Sequence, residues 1–499
     1  MFMHRLRQGA AALAIATGLL VPAHQVFAAP ETLTIALPGD FPSLVPSDDT
    51  SPLGFNYRLN VFDQLTVIGK DGKIGPRLAT EWTASDDLLK WTFKLRTDAL
   101  FHDGSPVTAH DVEFTARYIL DNPKSPTRTF LRLVDSVKAI DDHTIEFTLN
   151  QPYSIFERQI SFINVMPKDY HTKVGEEGYA KAPIGSGPYK VVNWVKDDRL
   201  ELEAFDKYWG GAPEVKKAVF RPIPAEASRA TALMSGEVDL VTTLPPALVD
   251  TLARNDGIEV KTVPGSRVMF LGFNSNAAPL DNPKIREAID IAIDREAITQ
   301  GLLRGLGRAT GMMIPPNNVG YNPEFVATKQ DMARAKQLVA ESGYAGEPIL
   351  FDYPSNNFVL ANEIAQAIAG YLTEAGLKVE LRPAEFTAFF PQWTQTAFPS
   401  LYMFAYGSTQ YHADTILTSM YSTGGRVYRL NPEIDALVAE QKRERDPVKQ
   451  AEIISRIFKI GAEDRDNVPL YDEFFAVGMK KDLGYEAWPD GFVRLYEFR

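Results

Sequence analysis

Apolar and polar residues alternate with a period of two in Glu31-Thr-Leu-Thr-Ile-Ala-Leu37, Trp91-Thr-Phe-Lys-Leu-Arg96 and Thr144-Ile-Glu-Phe-Thr-Leu149. Successive side chains of a strand point to opposite faces, so this pattern predicts half-buried strands. Residues 189–205 alternate on both sides of Lys196-Asp197-Asp198-Arg199, which predicts a hairpin with a polar turn. The first third is therefore expected to be mainly β, with few helices. One helix stands out there: Thr108 precedes an apolar stripe of Val112, Ala116, Ile119 and Leu120, with Asp111 placed to complete a capping box. Asn122-Pro123 forbids its continuation.

From about residue 217 the pattern changes to strand, helix, strand: 217–223, a helix through 229–234 ending near Gly236, then 238–242. The arrangement recurs as a strand at 348–353, a helix over about 358–375 stopped by Gly376, and a strand at 377–382. Such units build parallel sheets. Between them Asn282 and Pro283 open a helix with Ile285, Ala288, Ile289, Ala292 and Ile293 on one face, and Asp294 can cap the next. Two further helices, about 432–444 and 447–463, are separated by Asp446-Pro447, and 468–477 again reads as a strand. No linker, low-complexity tract or short repeat divides the chain, so solenoids and propellers are not expected. A mixed α/β protein of two lobes, crossed more than once by the chain, fits this order.

Composition narrows the chemistry. The 499 residues include no cysteine, 34 Gly and 34 Pro, with a formal charge of −12. The missing thiol excludes thiolate catalysis, cysteine zinc sites, iron–sulfur clusters and lipid attachment at cysteine. An acidic balance without Lys/Arg runs argues against a nucleic-acid partner. Arg5 and Arg7, an apolar stretch at 9–21 and Val26-Phe27-Ala28 read as a signal peptide cut after Ala28. Thirteen residues span only about 20 Å as a helix, too short for a hydrocarbon core of about 30 Å. An exported, unanchored and soluble protein is expected, retained in the periplasm.

Motifs for catalysis are missing: no nucleophile elbow, phosphate loop, zincin motif or EF-hand spacing occurs. Gly305-x-Gly307-x-x-x-Gly311 is one residue too long for a dinucleotide fingerprint. His102, His110, His143, His171 and His412 are not spaced as metal ligands, and the paired acids at 48–49, 86–87, 141–142 and 197–198 read as solvated turns. The chain is therefore expected to be no enzyme and to need no cofactor and no metal. The most binding-like stretch is Tyr402-Met-Phe-Ala-Tyr-Gly-Ser-Thr-Gln-Tyr-His-Ala-Asp414, where aromatic faces, short polar side chains and a glycine meet at a strand exit. A buried edge strand followed by an ordinary capped helix explains the same stretch.

Several segments resemble the extracellular solute-binding proteins of ABC importers, in the peptide/nickel class. They are Pro76-x-Leu-Ala-Thr-Glu-Trp82, Ser85-Asp-Asp-Leu88, Trp91-Thr-Phe-Lys-Leu-Arg96 and Phe101-His-Asp-Gly-Ser-Pro-Val-Thr-Ala-His-Asp-Val112. Gly185-Ser-Gly-Pro-Tyr189, Tyr208-Trp209 and Asn282-Pro-Lys-Ile-Arg-Glu-Ala288 continue the likeness. The resemblance implies a two-lobe periplasmic-binding-protein fold (type II, cluster C-like). Lobe I would comprise 29–56, 185–264 and 478–499, with a β-rich subdomain at 57–184; lobe II would be 265–477. Crossing segments near 263–270 and 474–478 would form the hinge.

The function so implied is capture of a small solute, most often a short peptide, and its delivery to an ABC permease by a monomeric receptor. A sugar, opine or other polar metabolite is the alternative ligand, followed by a metal complex or an exported hydrolase role. In dipeptide-binding relatives an Asp pairs with the peptide amino terminus; the matching position is Thr409. Tyr406, Gln410, Tyr411 and His412 are the expected wall of the cleft, with Asn56, Tyr57 and Tyr353 as further candidates.

Overall fold

A computed structural model describes residues 31–481 and 483–498, so the expected signal segment lies outside the described residues. Ten strands form one hydrogen-bonded path in the order Val379–Ala384, Ile349–Pro354, Leu401–Gly407, Ile258–Phe273, Asn467–Lys480, Leu240–Val241, Thr32–Leu37, Lys217–Pro222, Arg199–Ala204, Tyr189–Val195. An eleventh, Gly307–Ala309, pairs with Asn467–Lys480. The two halves of this path are the cores of the two lobes, and the strands in the middle belong to both.

Those middle strands are unusually long, at 16 and 14 residues, and pair antiparallel with each other. At one end Gly478 and Met479 pair with Leu240–Val241; at the other, residues 267–273 pair with Leu401–Gly407. The register between them shifts between Pro264 and Val268. Pro264 has no amide hydrogen for the ladder, and a Cβ on Gly265 would lie 2.8 Å from the Glu473 carbonyl oxygen. Residues 268–273 are all buried, an apolar run covered on both faces, whereas 259–262 are partly open.

The strand–helix–strand units form parallel pairs. Thr32–Leu37 lies between Lys217–Pro222 and Leu240–Val241, parallel to both, and the helix Glu226–Met234 links these two. Ile349–Pro354 runs parallel to Val379–Ala384, joined by the helix Ala361–Glu374. That helix ends where the sequence stops it: Gly376 has φ 96°, its amide bonds to Thr373 and the Leu377 amide reaches back to Leu372.

A separate antiparallel sheet, ordered Ala79–Ala84, Lys90–Leu95, Thr144–Leu149, Val134–Asp141, has its own core around Phe93, Phe147 and Phe156. Against it packs the helix Ala109–Asp121, whose Thr108 amide donates to Asp111 at 2.9 Å. The first third holds more helix than its patterning suggests, namely Pro52–Val61 and Lys168–Lys181. The former is buried around most of its circumference and shows no stripe; the latter buries only His171 and Tyr179.

The largest apolar cluster runs beneath the middle strands from Ala36 and Val241 to Leu377 and Leu401. A far smaller one, Phe55, Ile68, Phe162, Tyr411 and Phe492, joins the lobes elsewhere.

Candidate functional site

The strand Leu401–Gly407 delivers a short loop before the helix Asp414–Met420. The loop is held by its own chain: the Tyr411 amide donates to Ser408 at 3.1 Å, and Thr415 donates to the Gln410 side chain at 3.1 Å. Amides of Val319 and Ala413 bond across it, at 2.8 Å to the Tyr411 carbonyl and 3.0 Å to the Val319 carbonyl. Tyr411 adopts φ 52°, a left-handed conformation costly for an aromatic residue. The surrounding hydrogen bonds hold it there.

This kink turns Tyr411 toward the first lobe. Its ring is 3% exposed and belongs to the cluster with Phe55, Ile68, Phe162 and Phe492. One residue earlier, Gln410 bonds through its side chain to Gln159, and its carbonyl accepts from Arg158 at 3.0 Å. Arg158 also donates to the Gly72 carbonyl at 2.7 Å. Three elements thus converge: the loop, the turn near Gly72 and the segment Phe156–Gln159.

The C-terminal segment completes the seam. Phe492 stacks on Phe55 at 4.9 Å, and Arg494 forms a two-pronged ion pair with Asp490 while lying 3.6 Å from the Trp488 ring. The Tyr411 hydroxyl, the Trp488 indole nitrogen and Arg494 Nε are buried without a hydrogen-bond partner in the protein. Burial, reinforced by Asp490 and opposed by Arg494, raises the Tyr411 pKa well above the phenol range, so the hydroxyl keeps its proton. Buried donors of this kind suit a solute bearing oxygen acceptors, because leaving them unmet costs free energy.

The other sequence candidates are placed differently. Tyr406 is half-buried on the second lobe, its ring 5.0 Å from Trp393 and its hydroxyl 3.3 Å from Ser419. His412 faces inward: Nδ1 accepts from the Asp414 amide at 3.0 Å, so Nε2 carries the proton and donates to Gln450 at 3.1 Å. Burial holds its pKa at about 4, leaving a neutral imidazole. Asn56 accepts from the Val493 amide at 2.8 Å and so braces the C-terminal segment. Tyr57 and Tyr353 sit in the lobe cores, their hydroxyls donating to the Leu44 carbonyl at 3.1 Å and to Asn362 at 3.1 Å. Gln410 and Tyr411 therefore lie on the seam, and His412, Tyr57 and Tyr353 are spent on internal contacts.

Sequence reasoning passed over Phe55, Gln159, Trp488, Phe492 and Arg494. The turn signal Trp488-Pro-Asp-Gly, set beside two aromatics and an arginine, was the available clue. Among the described residues no group of three or more His, Asp or Glu could hold a metal, and no helix is long and apolar enough to cross a membrane.

Fold and seam together define a two-lobe solute-binding protein. The sequence profile of the bacterial extracellular solute-binding proteins, family 5 (middle), matches residues 73–427, and the chain belongs to this family of ABC-importer receptors. It is 26% identical to the glutathione-binding protein GsiB of Escherichia coli K12 over 512 aligned residues, covering 97% of each. It is also similar to the ABC transporter substrate-binding protein CtaP of Listeria monocytogenes, with 27% identity, a TM-score of 0.84, and 94% and 98% of the two chains covered. The periplasmic binding protein DppA of Helicobacter pylori, solved with the peptide STSA, gives 25% identity and a TM-score of 0.78 over 93% and 96%. The family and these relatives are binding proteins rather than enzymes.

Proposed function

We propose that this receptor captures a short peptide of two to five residues, glutathione included, between its lobes and presents the closed form to an ABC permease. The observation that carries this reading is the seam at Tyr411, where a second-lobe loop meets three first-lobe segments and buried donors are left for a ligand's oxygens. The names of the glutathione- and peptide-binding relatives point the same way. In this reading the lobes divide as 29–56, 185–264 and 478–499 against 265–477, with 57–184 as the β-rich subdomain, and the protein works as a periplasmic monomer without catalysis or nucleic acid. Tyr406, Gln410 and Tyr411 are its ligand wall, joined by Trp488 and Arg494.

Ligand touching both lobes stabilises closure by its differential affinity, and a full population swing from 1:99 to 99:1 takes about 5.5 kcal/mol. Mass spectrometry of protein purified without denaturation tests the ligand class. Only non-peptide ligand, together with no melting shift from glutathione or any dipeptide to pentapeptide, overturns it. That outcome favours a second reading, a sugar or opine, which Thr409 supports because it offers no charge to a free amine.

A further inference from the structure

Close to Tyr411, the lobes meet through a second group of contacts that no ligand need touch. In the second lobe the Asp414 carboxylate accepts from the Gln441 amide at 2.5 Å, and the Gln441 carbonyl accepts from Gln450 at 2.8 Å. Gln450 in turn accepts from His412, and His412 accepts from the Asp414 backbone amide. These four residues, at most 5% exposed, close a hydrogen-bonded circuit within a single lobe through side chains and two main-chain groups. Such a circuit is preorganised, because each member is fixed by the next.

Two first-lobe residues enter it. The Tyr153 hydroxyl donates to the free oxygen of Asp414 at 2.8 Å, Gln450 donates to the Ser154 hydroxyl at 3.3 Å, and the Ser154 amide donates to the Lys442 carbonyl at 2.8 Å. Tyr153 is 1% exposed and its ring is anchored in the β-rich core, so the plug is as rigid as the socket. Without this acceptor the buried Tyr153 hydroxyl would be left unpaired, which costs free energy.

We propose that Tyr153 and Ser154 are the plug of a latch whose Asp414–Gln441–Gln450–His412 socket favours closure whatever solute is bound. The inference rests on the two-lobe closure read above but not on the ligand's identity. Apparent affinity scales with the fraction of molecules in the competent closed state, so a latch multiplies the affinity for every ligand by one factor. Tyr153 and Ser154 are positioning residues, remote from any selection between ligands.

The absence of cysteine allows a direct test. Val192→Cys and Val326→Cys, at sites 55% and 77% exposed, one in each lobe, carry dyes for single-molecule energy transfer on the full chain. Without ligand, Tyr153→Phe is expected to lower the closed-to-open ratio about tenfold, about 1.4 kcal/mol. Ser154→Ala should move it the same way by less, which guards against a folding defect in the first variant. The Kd values for glutathione and for trialanine should rise by one common factor. A ratio unchanged in both variants, an effect on one probe alone, or a wild-type chain with no closed molecules before ligand is added overturns the latch. If neither probe binds, the ligand reading falls while the ratio still decides the latch.

Discussion

The lobes are joined in two ways that differ in kind. On the hinge side the middle strands are continuous backbone ladder, backed by the largest apolar cluster, so the connection cannot break without unfolding. On the seam side five aromatic and aliphatic side chains and a handful of side-chain hydrogen bonds do the joining. Contacts of the second kind can be exchanged for water at small net cost, which is what a reversible closure requires. Changes on the hinge side should therefore appear in stability, and changes on the seam in affinity.

The largest expected effect is at Gly407, where a Cβ would lie 2.1 Å from the Ser266 carbonyl oxygen and 2.8 Å from Arg267 Cα, both backbone. Gly407→Val should cost about 3 kcal/mol of folding stability or more, read as a lowered urea midpoint. An unchanged midpoint would mean that the hinge side is as adaptable as the seam.

Next comes acidity. His412 titrates near 4 in the folded chain against 6.5 when unfolded, so the unfolded state binds more protons between those values. Stability should fall as pH drops from 6.5 toward 4, by up to about 3 kcal/mol. His412→Gln should flatten that part of the pH–stability curve, and a slope identical to wild type would remove His412 from the folded interior.

Tyr411→Phe keeps the ring in its cluster and deletes only the partnerless hydroxyl. Ligand-free melting should stay within about 0.5 kcal/mol of wild type, while the affinity for the co-purified solute drops about tenfold by calorimetry. Equal affinity would show that the hydroxyl meets no ligand. The smallest effect is expected at Arg445, an exposed side chain that reaches the Ser85 carbonyl across the lobes. Arg445→Ala should shift neither stability nor closure by more than about 0.5 kcal/mol. A larger change would show that the seam extends to the surface.

How far the sequence reveals this depends on the range of the interactions. The Thr108 capping box and the Gly376 stop are local signals and are legible. Tyr411 and His412 are neighbours of similar chemistry, yet one meets the first lobe and the other turns inward. The left-handed backbone at Tyr411 decides which, and it is imposed by Val319 and Ser408 rather than by the residue itself. Trp488 and Arg494 escape notice for a related reason, since their contact with each other is local and nothing in that stretch points to the loop at Tyr411. The helix Pro52–Val61 hides because burial on most sides erases its period.

One pairing described above also sets a timetable. Asn56 and Asn60 receive the Val493 and Leu495 amides from 437 and 435 positions further along the chain. Local contacts form first and distant ones await their partners. The first lobe thus cannot finish folding until Val493 and Leu495 have been made, so the segment around Asn56 and Asn60 stays pliable while the more than four hundred residues between them are added.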